Sequence, residues 1–234
     1  MNNLSIILST YNEAHNIEQT LTKLINKETV KEIIIIDDNS SDETSNIINN
    51  IKNSKIKLFV RKNTRGFASA FIFGLMMSNG EYVLRFDLDM HSEIDLFINS
   101  FEKNKDKDCV IFSRYTENGK DLRGMYRKIP SLIINKLCQF LLSNKIKDYT
   151  SCIMFFKKSI LKDILPKNTY YANFIIEFIF LLIIKKKNYL EVGFTQKQHT
   201  ALNSKSSPNI IGFLKNGFFY LLSILRCMLF KVRI

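Results

Sequence analysis

Two aspartates that are two positions apart are the first residues in this sequence to suggest chemistry. Asp87 and Asp89 stand in the stretch FDLDMHSE, directly after the apolar run EYVLRF, which is typical of a buried strand. Carboxylate oxygens suit Mg²⁺ or Mn²⁺, and such an ion usually takes the rest of its ligands from water and phosphates. The pair therefore predicts a divalent cation that bridges to a diphosphate, with His91 either as a further ligand or as an ordinary turn residue.

The surrounding elements predict how this pair is positioned. Apolar, β-branched runs alternate with stretches whose apolar residues have helical spacing, and the predicted strands are 4–10, 32–38, 56–62, 81–87 and 108–114. This alternation predicts an α/β fold with a mostly parallel sheet flanked by helices, which holds ligands at the carboxyl ends of its strands. The segments TYNE, DDNSSD, RKNTRG and DLD follow the first four strands, so we expect them to share one rim of the sheet.

The charge of the chain is distributed unevenly. Residues 1–119 contain 14 basic and 17 acidic side chains, whereas residues 120–234 contain 20 basic and 5 acidic ones. The second part is therefore predicted to face nucleic acid, membrane head groups or a phosphorylated substrate, with ordinary solvated lysines as the alternative. The four cysteines lack C-x-x-C spacing, which indicates buried thiols and argues against a zinc site.

The two ends of the chain bear on its location. The opening MNNLSIILSTYNE is typical of a strand and turn, not of a secretion signal. The apolar stretch NFIIEFIFLLIIKKK is too short to span a bilayer. Residues 206–234 are apolar but interrupted by basic side chains, which predicts amphipathic helices in a membrane interface, with a C-terminal core helix as the alternative. We therefore expect a cytoplasmic protein associated peripherally with the inner face of the membrane.

Several segments together resemble the family 2 glycosyltransferases with the GT-A fold, and among them the polyprenyl-phosphate sugar transferases such as dolichyl-phosphate mannose synthase. The resemblance covers about residues 4–205 and is carried by LSTYNEAHNI, EIIIIDDNSSDET, NTRGFASAF, DLDMH, SRY, YRKIPSLIINKL and DYTSCIMFF. Ser9 replaces the family's usual proline. Cys152 and Met154 stand where the family usually has a glycine and a basic residue, and these departures bear on the acceptor side.

The resemblance implies a role for each group of residues. A GDP- or UDP-sugar donor would be bound by Thr10, Tyr11, Glu13, Asp37, Asp38, Arg65, Gly66 and Asp87. The metal, Mg²⁺ or Mn²⁺, would be held by Asp87, Asp89 and His91. The acceptor phosphate would be contacted by Arg114, Arg127, Ser131, Asp148, His199 and Lys205. The residues with catalytic roles would be Asp87, Asp89, Arg114 and Arg127.

The resemblance also implies an organisation and a reaction. Residues 1–205 would form the GT-A domain, with a nucleotide-sugar-binding half (1–119) and a basic acceptor half (120–205), and 206–234 would form the interface tail. The reaction would be an inverting transfer of a sugar to a polyprenyl phosphate. A phosphate acceptor is already anionic and needs no general base, and guanidinium groups bind its oxygens in pairs.

Three alternatives remain at this stage. The first is transfer to a sugar hydroxyl in surface polysaccharide or lipooligosaccharide synthesis, which requires a general base; Asp148 is the best candidate, although the usual E-D and Q-x-x-R-W motif is absent. The second is a nucleotide-sugar-binding or membrane-docking subunit without turnover. The third, nucleic-acid binding, is disfavoured because the basic half contains no recognised module.

Overall fold

The computed structural model describes residues 3–164, 172–197 and 210–232. Within these ranges the strands are β1 (Leu4–Thr10), β2 (Val30–Asp37), β3 (Ile56–Val60), β4 (Tyr82–Arg85), β5 (Cys109–Ser113), β6 (Lys120–Asp121), β7 (Met154–Lys157), β8 (Tyr189–Gly193) and β9 (Thr195–Gln196). The helices are α1 (Ala14–Ile25), α2 (Thr44–Asn50), α3 (Phe67–Met77), α4 (Ile94–Lys103), α5 (Met125–Leu141), α6 (Leu161–Ile164), α7 (Phe174–Ile184) and α8 (Ile210–Val232). Two 3-10 helices cover Leu88–Glu93 and Lys158–Ile160.

Seven strands form one mixed, mostly parallel sheet in the order β3-β2-β1-β4-β7-β5-β8. Strand β1 pairs in parallel with β2 and β4, and β2 pairs in parallel with β3, whereas β7 pairs antiparallel with β4. Short strands β6 and β9 form a second, two-stranded sheet. The predicted α/β fold with a mostly parallel sheet flanked by helices is confirmed.

The chain divides into two compact units. Unit 1 comprises Met1–Val110 and Ile153–Leu161, and unit 2 comprises Ile111–Cys152 and Lys162–Ile234. The sequence analysis placed a boundary between residues 119 and 120. The two compact units instead meet inside β5, after Val110, and residues 153–161 also belong to unit 1. The described part of the predicted tail groups with unit 2.

Unit 1 is built around strands that are buried on both faces. Strand β2 contains four consecutive isoleucines that are inaccessible to solvent, which is the pattern expected when helices cover both sides of a parallel sheet. Helix α1 contributes a buried stripe of Ile17, Leu21 and Leu24, as its spacing predicted. Helix α3 approaches β1 closely at Gly74, where a Cβ atom would lie 2.5 Å from Cγ2 of Ile7. A larger residue at this position would push the helix away from the sheet.

Unit 2 is largely helical. Helix α7 is buried along most of its length, and α8 packs against both α7 and α5. Ser223, Ile224 and Cys227 of α8 are buried, and the side-chain amide of Asn173 donates to Oγ of Ser223 at 2.8 Å. The described tail is therefore one helix with a packed face, and its predicted place in a membrane interface stays a prediction. No helix in the described ranges is both long and apolar enough to cross a membrane. All four cysteines are free thiols and buried.

Candidate functional site

The carboxyl end of β4 positions the paired aspartates. Phe86 is buried, Asp87 has an extended backbone, and Asp89 lies in the first turn of the 3-10 helix that follows. The N–H of Met90 donates to the carbonyl of Asp87 at 2.8 Å and closes this turn. The hydroxyl of Thr20 in α1 donates to the carbonyl of Leu88 at 3.3 Å. The loop that carries both carboxylates is thus fixed by its own turn and by the neighbouring helix.

The electrostatics of this pair favour a cation. Burial, together with the nearby carboxylates of Asp87 and Glu13, raises the pKa of Asp89 to about 7. The side chain of Asp87 is 46% exposed and so faces solvent. Two neighbouring carboxylates repel one another unless a positive charge lies between them. Their oxygen donors therefore fit Mg²⁺ or Mn²⁺.

The described side chains would supply only part of a metal coordination shell. No group of three or more His, Cys, Asp or Glu side chains in the described ranges is arranged to hold a metal. Asp87 and Asp89 would leave the remaining positions to phosphate oxygens and water, which is the usual arrangement for Mg²⁺ with a nucleotide. The structure does not bring His91 together with both aspartates as a third ligand. The carbonyl of His91 instead accepts from Nζ of Lys23 at 3.1 Å.

The structure adds Arg85 to this site, which the sequence analysis missed. The Arg85 guanidinium is buried, donates to the Asp87 carboxylate and stacks on the Phe67 ring, 4.2 Å from its centroid. Arg85 is directly opposite Met154 in the antiparallel β4–β7 pair. Directly opposed residues of such a pair project on the same face of the sheet. The chain thus carries an arginine across the ladder from the position where the family motif has a basic residue.

The residues after β1 and β2 hold each other in place. The hydroxyl of Thr10 donates to Asp37 at 2.8 Å, and the N–H and hydroxyl of Ser40 donate to the same carboxylate. Thr10 is 3% exposed and Asp37 is inaccessible to solvent. Both side chains are thus buried in a hydrogen-bonded turn that shapes the rim, and their predicted contact with the nucleotide stays a prediction.

Asp38 organises the loop that follows β3. Its carboxylate accepts from Nε of Arg61 at 2.7 Å and from the N–H of Gly66 at 2.8 Å. Gly66 has a φ of 150°, a conformation that side-chain-bearing residues rarely adopt, which explains the need for glycine before α3. Arg61 was not singled out from the sequence, because only the fold places it beside Asp38. The ion pair places the Arg65–Gly66 turn next to Asp38.

Tyr11, Glu13 and Arg65 remain nucleotide-binding candidates. The Arg65 guanidinium lies over the Tyr11 ring, 3.7 Å from its centroid, and the arginine is exposed. Glu13 accepts from the side-chain amide of Asn16 at 2.9 Å and is near enough to Asp89 to raise its pKa. An exposed arginine next to a partly buried tyrosine can contact both a base and a phosphate. The prediction for these three residues therefore stands as a proposal.

In unit 2, Arg114 and Asp148 bind one another. Nε of Arg114 donates to Asp148 at 2.8 Å and a terminal nitrogen donates at 2.7 Å. The same guanidinium also donates to Thr150 and Gln196. Burial by itself raises the pKa of Asp148, but the charge and hydrogen bonds of Arg114 outweigh it and hold the pKa below its usual range. Neither side chain faces solvent, so the geometry does not support the predicted roles in acceptor binding or as a general base.

The other predicted acceptor residues have different surroundings. Arg127 lies at the start of α5, and its guanidinium makes no hydrogen bond or ion pair with another residue in the part of the chain that the structure describes. The hydroxyl of Ser131 is 2.9 Å from that of Thr150 and so belongs to the network around Asp148. His199 and Lys205 lie outside the described residues.

Parts of this sequence are similar to known proteins. Residues 5–165 match the family described as glycosyl transferase family 2. The poly-β-1,6-N-acetyl-D-glucosamine synthase of Staphylococcus epidermidis is 32% identical over 168 residues, which are 69% of this chain and 41% of that protein. The poly(ribitol-phosphate) β-N-acetylglucosaminyltransferase TarP of Staphylococcus aureus is 31% identical over 173 residues, which are 69% of this chain and 50% of that protein. The chain thus spans half or less of the length of these curated relatives.

Solved structures show the same fold. Glucosyl-3-phosphoglycerate synthase of Mycobacterium tuberculosis, in complex with Mn²⁺, UDP and phosphoglyceric acid, has a TM-score of 0.74 at 14% identity, covering 97% of this chain and 78% of that one. Its complex with Mg²⁺ and UDP has a TM-score of 0.72 at 13% identity, covering 97% and 79%. The fold, the paired carboxylates after β4 and the match over residues 5–165 lead to one conclusion: this chain belongs to glycosyl transferase family 2.

Proposed function

We propose that this chain transfers a sugar from a UDP-sugar to a hydroxyl group of a carbohydrate or polyol polymer, with a divalent cation at Asp87 and Asp89. The observation that carries this proposal is the pair of carboxylates on the rim of unit 1, whose mutual repulsion a cation bound to a diphosphate would relieve. The solved relatives bound to UDP support the choice of nucleotide. The named activities of the two staphylococcal relatives support a polymeric acceptor and N-acetylglucosamine as the sugar to test first.

The residues of unit 1 divide the work of donor binding. Asp87 and Asp89 would hold the cation, which when bound supplies charge neutralisation of the departing diphosphate. Arg85 keeps one oxygen of Asp87 oriented, so the other can face the ligand. Tyr11 would stack on the base, and Arg65 lies where it can leave the ring and contact a phosphate. Asp38 anchors the loop that carries Arg65.

A hydroxyl acceptor must lose its proton during transfer, and a base that takes it must reach it. Asp148, the candidate from the sequence, is inaccessible to solvent and held ionised by Arg114. This proposal therefore assigns Asp148 a structural role in unit 2 and places proton removal elsewhere.

A polyprenyl phosphate acceptor is the second candidate, and Arg127 favours it. Among the described residues nothing occupies its guanidinium through a hydrogen bond or ion pair, so a phosphate could bind there without displacing a partner. Such an acceptor is already anionic and needs no base, which agrees with the buried state of Asp148. In this case the transfer would be an inverting single displacement on the lipid phosphate.

Donor binding is tested by calorimetry of UDP titrated into the full chain with and without Mn²⁺. We expect Mn²⁺ to strengthen UDP binding, and Asp89→Ala to abolish that gain. Asp95→Ala is the matched control, because Asp95 is an exposed carboxylate on α4 that pairs with Lys27. A UDP affinity that does not change with Mn²⁺, or an equal loss of the Mn²⁺ effect in both variants, would contradict the proposed cation site.

The acceptor is tested with labelled UDP-N-acetylglucosamine, UDP-glucose and GDP-mannose, each offered with a soluble carbohydrate or polyol polymer or with polyprenyl phosphate in detergent. Label that precipitates with the polymer supports the first proposal. Acid-labile label that extracts into organic solvent supports the lipid phosphate instead. In the second case Arg127→Ala should abolish transfer while UDP binding stays intact.

A further inference from the structure

Helix α5 has a row of apolar side chains on its exposed side. Five of its exposed positions recur at intervals of three and four, which places them on one stripe of the helix: the apolar residues Tyr126, Ile129, Ile133 and Phe140, and Lys136. Phe140 is 87% exposed. The opposite side of the helix contains the buried residues Asn135 and Cys138. The stripe therefore lies outside the core of unit 2.

Helix α8 repeats this arrangement. Four of its exposed apolar side chains recur at intervals of three and four, and they are Phe218, Leu221, Leu225 and Leu229. The buried residues Ser223, Ile224 and Cys227 lie between them in sequence and form the packed face. Two helices of one unit thus each bury one face and expose an apolar stripe.

The charges on both helices have one sign. Neither α5 nor α8 contains an aspartate or a glutamate, and their charged residues are Arg127, Lys128, Lys136, Lys215, Arg226 and Lys231. Apolar stripes on helices whose charged residues are all basic are the pattern of helices that lie in an anionic lipid interface. Two copies of this chain that met through these helices would bring like charges together. The pattern therefore favours lipid over a second copy.

An open depression lies at the C-terminal end of α5. Its volume is about 650 Å³, and it is lined by Lys136, Gln139, Phe140, Leu142, Ser143 and Asn144. A lysine and side-chain amides next to the exposed Phe140 suit a phosphate head group beside an inserted ring.

We propose that α5 and α8 of unit 2 dock on an anionic lipid surface, with their apolar stripes in the head-group region and their basic side chains at the lipid phosphates. The apolar area supplies insertion and the basic residues supply the preference for anionic lipids. The proposal concerns where the protein works and does not depend on the sugar acceptor.

The absence of tryptophan from the sequence gives a direct test. Phe140→Trp and Leu225→Trp each place one fluorescent reporter on a stripe. Met76→Trp is the control, because Met76 lies on α3 in unit 1 and is 72% exposed. With vesicles of phosphatidylcholine and phosphatidylglycerol we expect a blue shift for the two stripe variants, none for Met76→Trp, and none with phosphatidylcholine alone. Equal shifts in all three variants, or no shift in any, would overturn the proposal.

A second test measures binding by co-sedimentation with the same vesicles. Ile133→Asp with Phe140→Asp, or Leu225→Asp with Leu229→Asp, should weaken binding by at least about tenfold, since charged groups do not enter the interface with the stripe. Met76→Asp should bind like the wild type, and circular dichroism should show all variants folded. If folded variants bind vesicles as well as the wild type does, the proposal is wrong.

Sedimentation equilibrium without lipid tests whether a second copy of this chain, and not lipid, covers the stripes. A dimer that Ile133→Asp dissociates, together with a wild type that ignores vesicles, would assign the stripe to self-association and overturn lipid docking. A monomer that binds anionic vesicles, and releases them at about 1 M salt, supports it.

Discussion

Each of the two units contains an arginine–aspartate pair near a strand end, and the pairs differ in what surrounds the carboxylate. In unit 1, Arg85 has a side chain that is 3% exposed, but its partner Asp87 is 46% exposed. In unit 2, Arg114 and Asp148 are 2% and 0% exposed. In these two pairs the same residue types therefore form an open pair at Asp87 and an enclosed pair at Asp148.

The two carboxylates thus differ in burial and not in residue type, which leaves Asp87 open to a ligand and encloses Asp148. Asp87 keeps a face toward solvent and can share its charge with a cation. The carboxylate of Asp148 accepts hydrogen bonds from the Arg114 guanidinium, from the N–H of Arg114 at 3.0 Å and from the N–H of Thr150 at 3.1 Å. An ionised pair that is fully enclosed stabilises the fold only while both partners are present. Four experiments follow from this contrast.

The largest effect should come from opening the enclosed pair. Asp148→Asn removes the charge that compensates Arg114 and leaves a buried cation, which should lower the free energy of unfolding by about 3 to 5 kcal/mol. Urea unfolding followed by circular dichroism measures this loss. Asp163→Asn is the control, because its pair with Lys187 is on the surface and its loss should change the free energy of unfolding far less. Unchanged stability combined with lost transfer would instead make Asp148 a catalytic base.

The open pair should affect the ligand more than the fold. Arg85→Met should weaken Mn²⁺ binding in the presence of UDP by about ten- to one hundredfold, because residues that orient a metal ligand typically have effects of this size. Electron paramagnetic resonance of free Mn²⁺ measures the affinity. Adding Met154→Arg should restore part of it, since this position projects on the same face of the sheet. If Arg85→Met binds Mn²⁺ like the wild type, Arg85 does not position Asp87.

The pH dependence of metal binding should reflect the raised pKa of Asp89, which is about 7. Below that pH the carboxyl is protonated, and a cation must displace the proton to bind. We expect the Mn²⁺ affinity to fall by up to about tenfold per pH unit below about pH 7 and to level off above it. UDP-glucose is the ligand for this measurement, because its diphosphate does not titrate in this range. An Mn²⁺ affinity that stays constant between about pH 5 and about pH 8 would contradict this assignment.

The smallest effect concerns Cys152, which follows the enclosed network in the sequence. Its φ is 57°, a left-handed conformation that suits the glycine of the family motif. Cys152→Gly should change the free energy of unfolding by less than about 1 kcal/mol, because relief of backbone strain is offset by lost burial and by the flexibility of glycine in the unfolded chain. Thermal unfolding measures the difference. A loss of several kcal/mol would show that the thiol packs more tightly than its backbone suggests.

Much of the fold could be predicted from local sequence patterns. The apolar runs predicted β1 to β5, since a buried strand leaves a continuous apolar signature. The acidic pair after β4 could be placed on the rim because parallel strands end at the same edge. The surroundings of helix α8 were harder to predict, because an amphipathic stripe has the same spacing whether it packs on protein or lies on lipid.

Side-chain partners that are distant in sequence could not be predicted in this way. Arg61 and Asp38 are 23 positions apart, and Arg114 and Asp148 are 34 apart, so no local spacing links them. Thr10 and Asp37 carried a familiar motif, but the motif does not show that they satisfy one another in a buried turn.

The sequence by itself determined the alternation of strands and helices, the paired carboxylates and the one-sided basic charge, because each depends on neighbouring residues or on composition. Only the tertiary structure decided which carboxylates face solvent and which are enclosed by arginine, because burial and pairing arise when distant segments pack together. It also decided that two helices of unit 2 each keep an apolar stripe exposed, because the spacing that creates a stripe does not say what the folded chain leaves uncovered.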